Sequence, residues 1–487
     1  MSCERSSENA DKQTGNRTGL LSWWHRLRCD VCRRTFAVDR MIERGSAQMR
    51  ATVAPPDSLA RVLAAVGCAP SSQFYASDRA TREALARSLA LVGIGIFVTA
   101  LATPQYPDSA LFGGSQFTLK SAAGAAGFAA LLGLFWYLKP VAAALLEGVP
   151  GLISYRKVCL IASAAGAAIL WMVPLLNGHV SPPAAIALGI GLNAVLALAS
   201  TILGGYLVEQ AQRIGASGRL GAFHQAAGHL AGMAAPLLGF GAGHFVAPPV
   251  AATLLLGFGA VAAFLFPGSA LVVHRPEGIK AQLTAIKQAR ELWQVALMLV
   301  LVVLPSNFDS LLHSQQVERG FTDAQHTQLN SIAQAATLVA ILAYSVLCKR
   351  VRLQSLLPAG IIGNAVGTLL YLGYGDPIGF PTAIAIEILN GLAAALIMVT
   401  LFDLAVRAVP RQCAYLGYAI LMSVHNLALS MSNVVTASLR LPFPSVVMLS
   451  ALCSTFALAV VVRLPSALIS RREGEPGSGS LPALPAV

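Results

Sequence analysis

Twelve apolar stretches, each about long enough to cross a bilayer, follow one another from Ala84 to Leu468, and almost every Lys and Arg between them falls in alternate gaps. A bilayer core of roughly 30 Å takes about 20 apolar residues as helix, and with no water at that depth each crossing has to satisfy its own backbone hydrogen bonds. The pattern predicts an all-α membrane protein with 12 transmembrane helices. Composition agrees, with 55% hydrophobic and 11% charged residues. The 43 Gly would weaken helices in water but let membrane helices pack closely.

The predicted spans are 84–103, 121–146, 158–177, 183–208, 220–244 and 250–273, then 291–312, 327–348, 354–374, 380–406, 413–436 and 444–467. The even-numbered gaps hold Arg156 and Lys157; Arg213 and Arg219; Arg275, Lys280, Lys287 and Arg290; Lys349, Arg350 and Arg352; Arg407 and Arg411. The odd-numbered gaps hold little beyond Lys120, Arg319 and Arg440. Retention of positive loops in the cytoplasm puts both termini inside, in a plasma or inner membrane. The net charge of +12 is spread along loops rather than gathered in one patch among exposed aromatics, so it reads as topology and not as nucleic-acid binding.

The chain divides into a cytoplasmic N-terminal region (1–83), a first six-helix half (84–273), a basic cytoplasmic connector (274–290), a second half (291–467) and a flexible cytoplasmic tail (468–487). In the first region Leu20, Trp24, Leu27 and Val31 recur at helical spacing among Arg26, Arg28, Arg33 and Arg34. That is either a basic amphipathic helix on the lipid of the inner leaflet or a solvated, disordered tail. Cys29 and Cys32 form one CxxC, with His25 and Cys68 the nearby extra ligands. A tetrahedral zinc site wants four ligands at finger spacing, so no metal is expected.

Span 2 and the loop after it read LFWYLKPVAAALLEGVPGLISYRKVCLI. A helix ending in Lys139–Pro140, an acid at Glu147 and a Tyr155–Arg156–Lys157 group opening the next helix resemble the folate-biopterin transporter family of the major facilitator superfamily. So do Pro305, Gly320–Phe321–Thr322 and Tyr344 before Lys349 and Arg350 in spans 7 and 8, and Ser423 with Asn426 in span 11. Before span 11 the chain departs from that family, with Pro410, Arg411, Gln412, Cys413, Ala414 and Tyr415 where a glycine and an acid are usual. The resemblance implies two six-helix halves around a central site. Glu147, Arg156 and Lys157 have the placement of a cytoplasmic latch, the acid pairing with bases on the neighbouring helix.

Charges at mid-bilayer cost at least about 2.5 to 3.5 kcal/mol on insertion scales, so they face a cavity or a partner. Asp309 follows Pro305 at the outer end of span 7, where a broken helix can present its carbonyls to solute; it also fits as an interfacial acid. Glu387 and Asn390 share a face of span 10, the Glu as a proton carrier or as an interhelical hydrogen-bonding group. His224 and His229 on span 5 point about 140° apart at 100° per residue, so one of them serves packing. His425 and Asn426 on span 11 line a cavity or bond between helices. Lys139 and the span 5 histidines favour an anion.

With no Walker loop, GxSxG or HExxH in the chain, neither enzyme chemistry, an ATP-driven pump nor a cofactor is expected. The expected function is secondary transport, by alternating access, of a small polar or anionic organic solute (a folate or pterin among the candidates), with protons as coupling ion. A non-transporting receptor or assembly factor, and an exporter of amphipathic compounds, remain as alternatives.

Overall fold

The computed structural model describes residues 70–103, 131–149, 151–177, 182–235, 248–266, 278–306, 308–375, 378–439, 441–470 and 472–473. The amphipathic segment, the CxxC pair and the end of the tail lie outside these residues, and at Asp309 only the backbone is described. Contacts divide the chain into Met1–Asp78 and Arg79–Val487. Of the first unit, Pro70–Asp78 are described and form the opening turns of a helix.

Twelve rods follow. The first half comprises α1 (Pro70–Ala102), the pair α2 (Leu134–Tyr137) and α3 (Lys139–Gly148), α4 (Arg156–Asn177), α5 (Pro182–Ile214), α6 (Ser217–Ala235) and α7 (Pro248–Leu265). The connector forms α8 (Ile279–Gln288). The second half comprises the broken pair α9 (Arg290–Val303) and α10 (Asp309–Glu318), then α11 (Asp323–Arg350), α12 (Leu353–Leu369), α13 (Phe380–Ala408), α14 (Ala414–Leu439) and α15 (Phe443–Val461), followed by the short α16 (Ser466–Ile469). Among the described residues, eight helices are long and apolar enough to cross a membrane, and a shorter apolar one covers Pro249–Leu265. The other three spans are rod 2 and rod 5, each cut by undescribed residues, and rod 7, which is broken.

The sequence explains the ends. Gly320 adopts φ 84°, Phe321 donates to the Gln316 carbonyl and Gly320 to that of Val317, which is the left-handed glycine stop of a helix. Two residues on, Thr322 and Gln325 form a reciprocal capping box that starts α11, four residues earlier than the apolar pattern indicates. Gly215, at φ 64°, ends α5 in the same way, with Ala216 donating to Ala211. Span 7 breaks between Val303 and Asp309, around Pro305, because a proline cannot donate a helical hydrogen bond and crowds the preceding turn. Its second piece extends to Glu318, past the predicted limit at 312.

The surface is apolar where the interior is partly polar. Phe264 and Val462 are 88% and 86% exposed, whereas Glu147, Arg156, Glu209, Glu387 and Asp403 are buried. Such an arrangement suits lipid and not water. The halves meet where α5 packs on α14, α3 on α14, and α6 on α11 and α13.

Candidate functional site

A cavity of about 170 Å³ lies at this meeting, walled by α1, α2, α3, α5 and α6 from the first half and by α13 and α14 from the second. Four sequence candidates line it together: Lys139, His224, His425 and Asn426. Lys139 is buried; its Nζ donates to Ser200 Oγ at 2.9 Å and sits 4.1 Å from the Trp136 ring centroid, within cation–π range. Phe402 forms the floor between the two histidines, its ring 5.8 Å from His224 and 5.6 Å from His425. Tyr418, four residues into α14, stands edge-on to His224. His425 Nδ1 lies 3.4 Å from Asn426 Oδ1.

The remaining candidates lie elsewhere. His229 reaches across to α11, its Nδ1 2.6 Å from Gln334 Oε1. Glu387 sits inside the second half, where Oε2 accepts from Tyr371 at 2.9 Å and Oε1 from Tyr374 at 3.2 Å and Gln316 at 3.3 Å. Asn390 donates to the same Tyr371 hydroxyl. Gln316 also meets His326, whose ring lies 4.1 Å from that of His313. One polar chain thus runs from the end of the bundle carrying α10 to a buried carboxyl.

Toward the opposite end, which carries the basic loops, buried ionic and charge-assisted bonds join the two halves. Glu147, at the end of α3, accepts from the backbone N–H groups of Tyr415 and Leu416, one per carboxylate oxygen and each at 3.0 Å. A carboxylate there meets the positive end of the α14 dipole and groups that the helix itself leaves unsatisfied. Arg156 donates to Glu209 at 2.6 Å and to the Tyr415 hydroxyl at 2.9 Å, with both charged side chains 2% exposed. Glu147 and Arg156 thus both reach the start of α14 in the second half, and the acid bonded to Arg156 is Glu209, which the sequence reading did not single out. Lys157 is half-buried and has no ion pair among the described residues.

Further bonds tighten this end. Gln212 donates to the carbonyls of Val406 and Val409, and Arg407 holds Asp403 at 2.8 Å while reaching Ser217. Glu473 accepts from the Arg219 backbone and side chain, and its own N–H bonds the Cys348 carbonyl, so the chain end straps α6 to α11. The close approach depends on two glycines. A Cβ on Gly205 would come 2.0 Å from the Tyr415 ring, and one on Gly204 2.7 Å from the Tyr418 ring.

Trp136, Ser200, Phe402 and Tyr418 also escaped the sequence reading, being an aromatic, a hydroxyl or a phenyl in apolar spans rich in such residues. For Glu209 a signal existed: it is an acid one turn before Arg213 at the end of span 4.

No family model matches the sequence, and no curated protein does. Among solved structures, the proton:xylose symporter XylE aligns over 81% of this chain and 98% of its own, at 13% identity and TM-score 0.57. A bacterial homologue of the iron transporter ferroportin, in its outward-facing state, aligns over 79% and 98%, at 13% identity and TM-score 0.58. The human organic anion transporter MFSD10 aligns over 78% and 99%, at 17% identity and TM-score 0.59. The chain thus has the major facilitator fold, with twelve helices in two six-helix halves. Its apolar rods make it an integral, multi-pass membrane protein.

Proposed function

We propose that this protein is a secondary active transporter, moving a small polar or anionic organic solute by alternating access and coupled to protons. The observation that carries the reading is the cavity walled by both halves, with Lys139 and two histidines in its lining, next to an end where buried bonds join the halves. A site so placed changes sides when the halves rock, because the bonds at that end are the ones that rocking breaks. In this reading the basic end is cytoplasmic, both termini lie on that side, and the structure is the state barred from the cytoplasm.

The coupling proton is assigned to Glu387, supported by its burial inside the second half and by its place at the end of the hydrogen-bonded chain through Tyr371, Tyr374 and Gln316. His326 and His313 lead outward from it. Cavity size points to a compact solute, since a cavity of about 150 Å³ takes benzene. A single ring system is nearer that size than a whole folate.

The test is flux in proteoliposomes. An inward proton gradient should drive accumulation of a cavity-sized solute. Glu387→Gln should abolish accumulation while leaving solute exchange at equal concentrations within about threefold, as expected when only the coupling step is lost. Absence of both accumulation and exchange for every solute tried would refute transport.

A further inference from the structure

The cavity is lined by one lysine and by no acid to balance it. None of its lining residues is Asp or Glu, and Lys139 is 5% exposed, with neutral Ser200 and Trp136 as its contacts. The nearby buried acids are engaged elsewhere: Asp403 by Arg407 and Tyr344, Glu209 by Arg156, and Glu147 by the start of α14. A buried ammonium has three donors and a large desolvation cost unless an anion joins it.

Two further polar atoms await partners. His224 Nδ1 and Tyr418 Oη are both buried and without a hydrogen-bond partner among the described residues, and both residues line the cavity. Around them the walls are aromatic, with Trp136, Phe402 and His425. The three features together specify a ligand: an anionic group for Lys139, a planar apolar body, and a small polar substituent within reach of Tyr418 and His224.

We infer that the cavity binds a small aromatic monocarboxylate bearing a ring hydroxyl or a comparable hydrogen-bonding group. The carboxylate pairs with Lys139, and the ring lies among the aromatic walls, where offset or edge-on contacts add to burial. The substituent completes the hydrogen bonds of Tyr418 and His224. This rests on the cavity being the transport site.

The experiment uses the full chain, with binding measured by calorimetry and counterflow measured in proteoliposomes. Probes are benzoate, 4-hydroxybenzoate, benzamide, benzylamine and xylose. Benzoate should bind, and 4-hydroxybenzoate about tenfold tighter, the worth of one buried hydrogen bond. Benzamide and benzylamine should be at least about 30-fold weaker, since each loses the charge-assisted bond. Lys139→Gln should lose benzoate binding while Lys139→Arg retains it, and Tyr418→Phe should erase the hydroxyl preference with benzoate unchanged. Because the ligand series needs no variant, a misfolded Lys139→Gln leaves the result intact. Preference for benzylamine or xylose over benzoate, in binding or flux, would overturn the inference and leave transport standing. Benzoates that bind without ever crossing would sustain the ligand class and overturn their being the transported solute; no binding by any carboxylate would overturn the inference.

Discussion

Glu147→Gln should unseal the basic end. In the wild type each carboxylate oxygen takes one backbone N–H of α14, at 3.0 Å. The amide keeps one acceptor and turns an NH₂ donor toward the other N–H. One charge-assisted bond is then lost, worth about 1.5 to 3 kcal/mol, together with a helix-terminus interaction of about 0.3 to 1 kcal/mol, reaching about 2 in buried geometry. A total near 3 kcal/mol, felt only while the halves touch, shifts the sealed-to-open ratio about 100-fold.

Cys413 is a native reporter, a cysteine that is fully buried and one residue before α14. An impermeant maleimide presented to the basic face, with modification of Cys413 read by mass spectrometry, follows the open population when opening is fast. Its labelling rate should rise at least about tenfold in Glu147→Gln and far less in Glu147→Asp, which keeps the charge. A rate within twofold of wild type, in protein with unchanged thermal midpoint, would refute the assignment of Glu147 to the seal.

Gly205→Ala sets a methyl against the Tyr415 ring; overpacking of this kind costs about 1 to 3 kcal/mol and should likewise raise Cys413 labelling. Arg156→Met and Glu209→Leu should each lower stability by about 3 to 5 kcal/mol, because each leaves a buried charge without its ionic partner, whereas combining the two recovers most of the loss. Thermal midpoints in a double-mutant cycle check this, and additive losses would contradict it.

The rods were legible because lipid imposes one requirement on each crossing, and twenty apolar residues satisfy it regardless of what they touch. Ends were less so: α11 begins at its Thr322–Gln325 box and not at its first apolar residue, and α10 runs on to Glu318 because polar helix carries no hydropathy signal. The cavity was legible only in pieces. Lys139, His224, His425 and Asn426 stand out singly as polar groups in apolar spans, but their convergence depends on α3, α6 and α14 meeting across the two halves, which spacing within one helix cannot encode. Phe402 and Tyr418 carried no signal at all, since aromatic residues in a span are as readily lipid-facing as cavity-facing. The partners of Glu147 were out of reach for another reason: they are backbone amides, which no residue pattern marks.

Tyr418 is shared property. It lines the cavity, and its ring fills the space that a Cβ on Gly204 of the opposite half would need. A solute beside Tyr418 therefore touches the same side chain that lets the two halves approach.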